Sequence, residues 1–122
     1  MALAAIATAV RDVTTVLDEL ANAGFAPSDR LPLRYRFEAP TLRTAVELTS
    51  ALRIERECRV QIRTAPRRVT RAHRWQVSAT TPPVPLLRVV VELWEDRMRL
   101  AVRKHLGCAL VGWEPVVTPA PR

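Results

Sequence analysis

Leu33-Arg34-Tyr35-Arg36-Phe37-Glu38 alternates large apolar and charged side chains without a break. Successive side chains of a strand point to opposite faces, so this pattern reads as a strand with one face in a core and one in water. The period changes at Pro40-Thr41. Leu42, Ala45, Val46, Thr49 and Leu52 then recur at helical spacing, with Thr41 placed as the N-cap. Alternation returns twice. Cys58, Val60 and Ile62 alternate with Arg59, Gln61 and Arg63, and Trp75, Val77 and Ala79 alternate with Arg74, Gln76 and Ser78. Between these two strands, Ala65 to Ala72 carries Pro66 and Arg67, Arg68 and Arg71, and reads as a connecting loop.

Downstream, Pro82-Pro83 and Pro85 stop the third strand and prepare a helix start. Leu87, Val90, Val91, Trp94, Met98, Ala101 and Val102 predict a helix within Leu86 to Leu106, with Glu95 and Arg99 as an i,i+4 pair and Gly107 as its end. Cys108 to Val117 is apolar and reads as the last strand. Upstream, Leu3, Ile6, Val10, Val13, Leu17 and Leu20 form a helical stripe that stops at Gly24. That stripe packs on its own domain or forms a homodimer seam; both readings stand at this point. The organisation is an amino-terminal amphipathic helix (1–24), one domain (31–117) and a proline-rich tail (118–122). Its order is β-α-β-β-α-β, the ferredoxin-like arrangement of an α+β fold, with a four-stranded antiparallel sheet ordered 4-1-3-2 in its own strands.

Charge is concentrated. The chain has 122 residues, 19 basic and 12 acidic, a net +7. Arg53 to Arg74 holds eight arginines against Glu55 and Glu57, a net +6, and the remainder is close to neutral. At 48% hydrophobic the chain is too apolar for a disordered class. Its longest apolar run, Met1 to Val10, is about half of the ~20 residues a membrane span requires. Cys58 and Cys108 have no CxxC or Cys/His companion and read as thiols in a reducing cytoplasm. Three glycines do not build a phosphate-cradling loop, and no cofactor or metal is expected.

The strand phases give the candidate site. With the apolar residues turned to the helices, Arg34, Arg36, Arg59, Arg63 and Arg74 stand on the opposite face, beside Arg67, Arg68 and Arg71 in the loop. Guanidinium groups grip carboxylates and phosphates, so these eight arginines are the candidate binding residues for an acidic partner. The competing reading is an ordinary solvated face. Tyr35, Phe37 and Trp75 alternate in phase with the core, so the open face lacks the stacking platform of RNA-recognition modules. RNA, as an alternative partner, would be held through its phosphates. His73 and His105 are poorly placed for catalysis, and no nucleophile–base set assembles; the chain does not read as an enzyme.

One set of features extends across most of the chain. Leu17-x-x-Leu20-x-x-x-Gly24-Phe25, the strand Leu33 to Phe37 leading into Pro40, Trp75-x-Val77 before Pro82-Pro83, and Gly107 followed by Gly112-Trp113-Glu114 occur in that order. From about Leu17 to Val117 this resembles the RraB family, protein regulators of ribonuclease E activity. Cys108, Leu110 and Val111 stand where that family has a second glycine, a tyrosine and an aspartate. The resemblance implies a non-enzymatic regulatory or adaptor domain acting through a protein partner, with a ribonuclease among the candidates. The charge differs: the family's regulators are acidic and this chain is basic, so any partner contact would use different electrostatics.

Overall fold

The computed structural model describes residues 12–56, 58–64, 75–105 and 107–117, the side chains of 54–56 and 63–64 excepted. The protein is α+β, with three helices and two antiparallel sheets among the described residues. The elements in chain order are α1 (Val13–Asn22), β1 (Arg30–Leu31), β2 (Leu33–Ala39), α2 (Leu42–Arg56), β3 (Arg59–Thr64), β4 (Trp75–Thr80), β5 (Val84–Pro85), α3 (Arg88–Arg103) and β6 (Ala109–Pro115).

Local chemistry sets the boundaries. The chain leaves α1 through Gly24 at φ +100, where Gly24 N–H donates to the Ala21 carbonyl and Phe25 N–H to the Leu20 carbonyl. That pair of bonds is the Schellman arrangement, and a left-handed residue at its centre favours glycine. At the start of α2, Thr41 Oγ1 accepts from Thr44 N–H at 3.1 Å and Thr44 Oγ1 accepts from Thr41 N–H at 3.3 Å. This is a reciprocal cap of two otherwise orphaned donors, built with two threonines.

The four long strands form one sheet in the order β3-β4-β2-β6, all neighbours antiparallel. Leu33, Tyr35, Phe37, Val60, Val77, Ala79 and Trp113 share one buried cluster with Ala45, Leu48 and Leu52 of α2 and Val91, Met98 and Ala101 of α3. Both helices therefore cover the same sheet face, which the period-two pattern made apolar. In β6 the register slips between Arg36 and Phe37, where Gly112 faces Arg36 but Leu110 faces Phe37. The extra residue, Val111, lets Leu110 and Trp113 both pack toward the core although they lie three apart.

α1 belongs to this core. Val13, Val16 and Leu20 are buried, Leu17 is half-buried, and the helix packs against α3. The described half of the predicted stripe is thus committed within the domain, and Val16, outside that stripe, is the most buried residue of α1. Residues 1–11 of the stripe lie outside the described residues, as does the tail 118–122.

Two features differ from the sequence expectation. A second, two-stranded sheet pairs Arg30 with Pro85 and Leu31 with Val84. Helix α3 also starts later than Leu86, because Val84–Pro85 is held extended by β1 and Leu86 N–H donates to the Asp29 carbonyl at 3.1 Å. Leu87, still extended at φ −90 and ψ 134, is the N-cap. The predicted Glu95–Arg99 pair is present at 3.0 Å.

At the outer edge of the sheet, the Arg53 guanidinium donates to the Val60 carbonyl at 3.2 Å. Thr81 N–H bonds the Leu33 carbonyl, so odd-numbered positions of β4 direct their backbone toward β2. Val60, opposite Ala79, consequently directs its own amide and carbonyl away from the sheet. Arg53 occupies that outward acceptor.

Candidate functional site

The sheet face opposite α2 and α3, left open by the described residues, carries the alternate residues, and its register arranges them in rows. Glu114, Arg34, Thr80 and Arg59 form one row across β6, β2, β4 and β3. Gly112, Arg36, Ser78 and Gln61 form the next, and Ala109, Glu38, Gln76 and Arg63 a third. Strands lie about 4.8 Å apart, so Arg34 and Arg59 are roughly 10 Å apart at the backbone, with Thr80 midway. Rows of the same parity are about 6.8 Å apart along the strands.

Glu114 ties the first two rows together. Its Oε2 lies 3.4 Å from Arg34 Nη1 and its Oε1 3.2 Å from Arg36 Nη1. Arg36 reaches Glu114 diagonally because its direct neighbour, Gly112, puts no side chain on this face. The three side chains are 42%, 45% and 36% exposed, so each pair is worth about 0.2–1 kcal/mol and is readily exchanged. Arg59 is exposed and makes no ion pair among the described residues. Between Arg59 on one side and Arg34 and Arg36 on the other lies an open concavity of about 510 Å³ floored by Ser78, Thr80 and Gln76. A second hollow of about 460 Å³ continues past Arg59 and Thr80 to Pro82 and Pro83.

Of the eight arginines predicted as binding residues, the fold brings Arg34, Arg36 and Arg59 to one concavity. Arg63 is placed by register in the third row, opposite Gln76. Arg67, Arg68, Arg71 and Arg74 lie outside the described residues. Sequence reasoning missed Glu114 as the counter-ion of this face. Its signal was faint: one carboxylate at the end of an apolar strand whose alternation is broken by the bulge.

The aromatic residues are on the other side. Tyr35 and Phe37 are fully buried, and Tyr35 stacks on its cross-strand partner Trp113 with centroids 5.8 Å apart and planes 18° from parallel. Trp113 therefore anchors β6 to β2 within the core. The open face offers guanidinium, hydroxyl and amide groups, with no ring to stack a base among the described residues.

The cysteines do not form a reactive pair. Cys58 is buried and Cys108 half-buried, and neither is in a disulfide. Burial pushes the Cys108 thiol up; a hydrogen bond with Thr44 partly opposes this and the nearby Glu47 charge adds to it. Such a thiol is a poor nucleophile. His105 closes a turn, its N–H donating to the Val102 carbonyl at 3.1 Å. His73 lies outside the described residues. Among the described residues, no three His, Cys, Asp or Glu side chains are grouped to hold a metal ion, and no helix is long and apolar enough to cross a membrane. An apolar hollow of about 300 Å³ between α1 and α3 is lined by Leu17, Leu20, Phe25, Leu86 and Leu87, with Arg88 at its rim already paired to Glu92 at 3.0 Å.

No model of a known protein family matches the chain, and no curated protein aligns with it significantly.

Proposed function

We propose that this chain is a non-enzymatic regulatory or adaptor domain that captures an acidic protein partner on its open sheet face. The observation that carries the reading is the carboxylate already gripped there: Arg34 and Arg36 converge on Glu114 in a shallow, solvent-open concavity, with Arg59, which makes no ion pair among the described residues, on its far wall. A face built to hold an exchangeable carboxylate suits a partner that brings carboxylates of its own. The absence of a stacking ring on this face among the described residues favours protein over RNA. The strand order and the two helices on one sheet face support a ferredoxin-like description. The resemblance to RraB regulators supports a cytoplasmic role beside a ribonuclease, reached through electrostatics opposite to theirs.

The test is a pull-down from nuclease-treated extract, comparing the wild-type chain with an Arg36→Glu, Arg59→Glu variant. The wild type retains an acidic protein that elutes as salt is raised, and the variant does not. Partners that vanish on nuclease treatment would transfer the reading to RNA held by its phosphates. Retention of an acidic protein that is no ribonuclease or ribonuclease-associated factor would remove the regulator reading and leave the adaptor one.

A further inference from the structure

We infer that the open face recognises an extended acidic peptide whose carboxylates stand on alternate residues, and that Glu114 is the resident carboxylate this peptide replaces. The inference rests on the acidic-partner reading above and specifies its chemistry.

The argument is one of matching periods. Arg34, Thr80 and Arg59 lie in one row, so two guanidinium groups can close from opposite sides over the Thr80 hydroxyl. That row is a seat for one carboxylate: two charged donors flanking a neutral one. Arg36 and Ser78 form the next row on the same face, about 6.8 Å along the strands. An extended peptide repeats its side chains on one side every two residues, which is also about 6.8 Å. A segment lying along the sheet therefore places the carboxylate of residue i over Thr80 and that of residue i+2 beside Arg36 and Ser78. Carboxylates three residues apart would point to opposite sides of the same extended segment, and only one could be seated.

Glu114 supplies the second part. It holds Arg34 and Arg36 from the β6 side at 3.4 and 3.2 Å, away from the seat over Thr80. Binding must draw both guanidinium groups across from Glu114 to the incoming carboxylates. The exchange replaces like with like, so it costs little and selects for a ligand that offers two correctly spaced charges. A single carboxylate recovers one grip while disturbing two.

The experiment uses two synthetic peptides of equal length and charge, one with aspartates at i and i+2 and one at i and i+3, in glycine-serine backgrounds. Binding to the full chain is followed by fluorescence anisotropy at fixed low salt, with an oligouridylate as the phosphodiester probe. The i,i+2 peptide is expected to bind roughly five- to tenfold tighter than the i,i+3 peptide. Arg59→Gln should reduce its affinity several-fold, and Glu114→Gln should increase it several-fold. Both are half-exposed or exposed positions, and thermal melts check that each variant is folded. Equal affinity for the two spacings overturns the period while leaving an acidic partner standing. Binding of neither peptide overturns both readings. An oligouridylate that outcompetes the i,i+2 peptide at the same salt overturns the peptide in favour of a phosphodiester. Glu114→Gln leaving affinity unchanged or lower overturns the displacement.

Discussion

At the scale of a single residue, Tyr35 shows how a core position can be well packed and still imperfect. Its ring is fully buried against Trp113, yet its hydroxyl has no hydrogen-bond partner among the described residues. A buried, unsatisfied hydroxyl costs about 1–3 kcal/mol, so Tyr35→Phe is expected to stabilise the fold by about 1 kcal/mol, read as a higher urea midpoint at unchanged slope. Burial is also the main force holding the phenol far above its ordinary value of 10, with the Glu95 and Cys58 charges adding to it. The sign follows directly. Below pH 10 the phenol is neutral in both states and its contribution is intact. Above pH 10 the unfolded chain ionises first, and stability falls by about 1.4 kcal/mol per pH unit. Because Tyr35 is the only tyrosine, tyrosinate absorbance reports this directly, and Tyr35→Phe should abolish that part of the alkaline loss. The sequence phase of Tyr35 predicted its burial. Nothing local could predict that its hydroxyl would find no acceptor, since that depends on which helix residues arrive above it.

At the scale of elements, the features that local chemistry controls were legible. Gly24 ends α1, Thr41 caps α2, and the strands follow the alternation of Leu33–Glu38, Cys58–Ile62 and Trp75–Ala79. The features that depend on distant pairing were not. β1 and β5 have two residues each, too few to carry a period, and their pairing displaces the start of α3. The β6 bulge puts core residues three apart and hides the alternation that would have placed Glu114 on the open face. Two glycines turn this contrast into a measurement. Gly24 has φ +100 with open space where a Cβ would stand, so Gly24→Ala should cost only the left-handed backbone strain, about 1–2 kcal/mol. Gly107 has φ +83, and a Cβ there would meet Pro40 Cγ at 2.9 Å. Gly107→Ala should therefore cost more than Gly24→Ala by about 1 kcal/mol or more, the overpacking increment, measured by chemical denaturation of the two variants side by side.

At the scale of the whole molecule, α1 and the sheet share one core, so they should unfold together. Leu20→Ala is expected to remove about 2–4 kcal/mol from a single cooperative transition whose midpoint does not depend on protein concentration. A separate early transition, or a midpoint that rises with concentration, would instead mark α1 as an independent or intermolecular element. The candidate site is likewise a molecular property. Sequence phase placed the arginines on one face, but the row of Glu114, Arg34, Thr80 and Arg59 exists only because four strands from across the chain align in one register.

The guanidinium of Arg53 on the Val60 carbonyl has a consequence of this kind. An unpaired strand edge is a template on which another molecule's strand can grow, and long apolar edges seed aggregates. Among the described residues β3 is such an edge, and its outward carbonyl at Val60 is already occupied by a charged side chain from the domain's own helix. A strand approaching from solvent would have to displace an arginine and strip it of water before it could bond that carbonyl. The chain can thus offer one sheet face for recognition while guarding an acceptor at the middle of a neighbouring edge: sociable on its surface, and less inviting at Val60 along its rim.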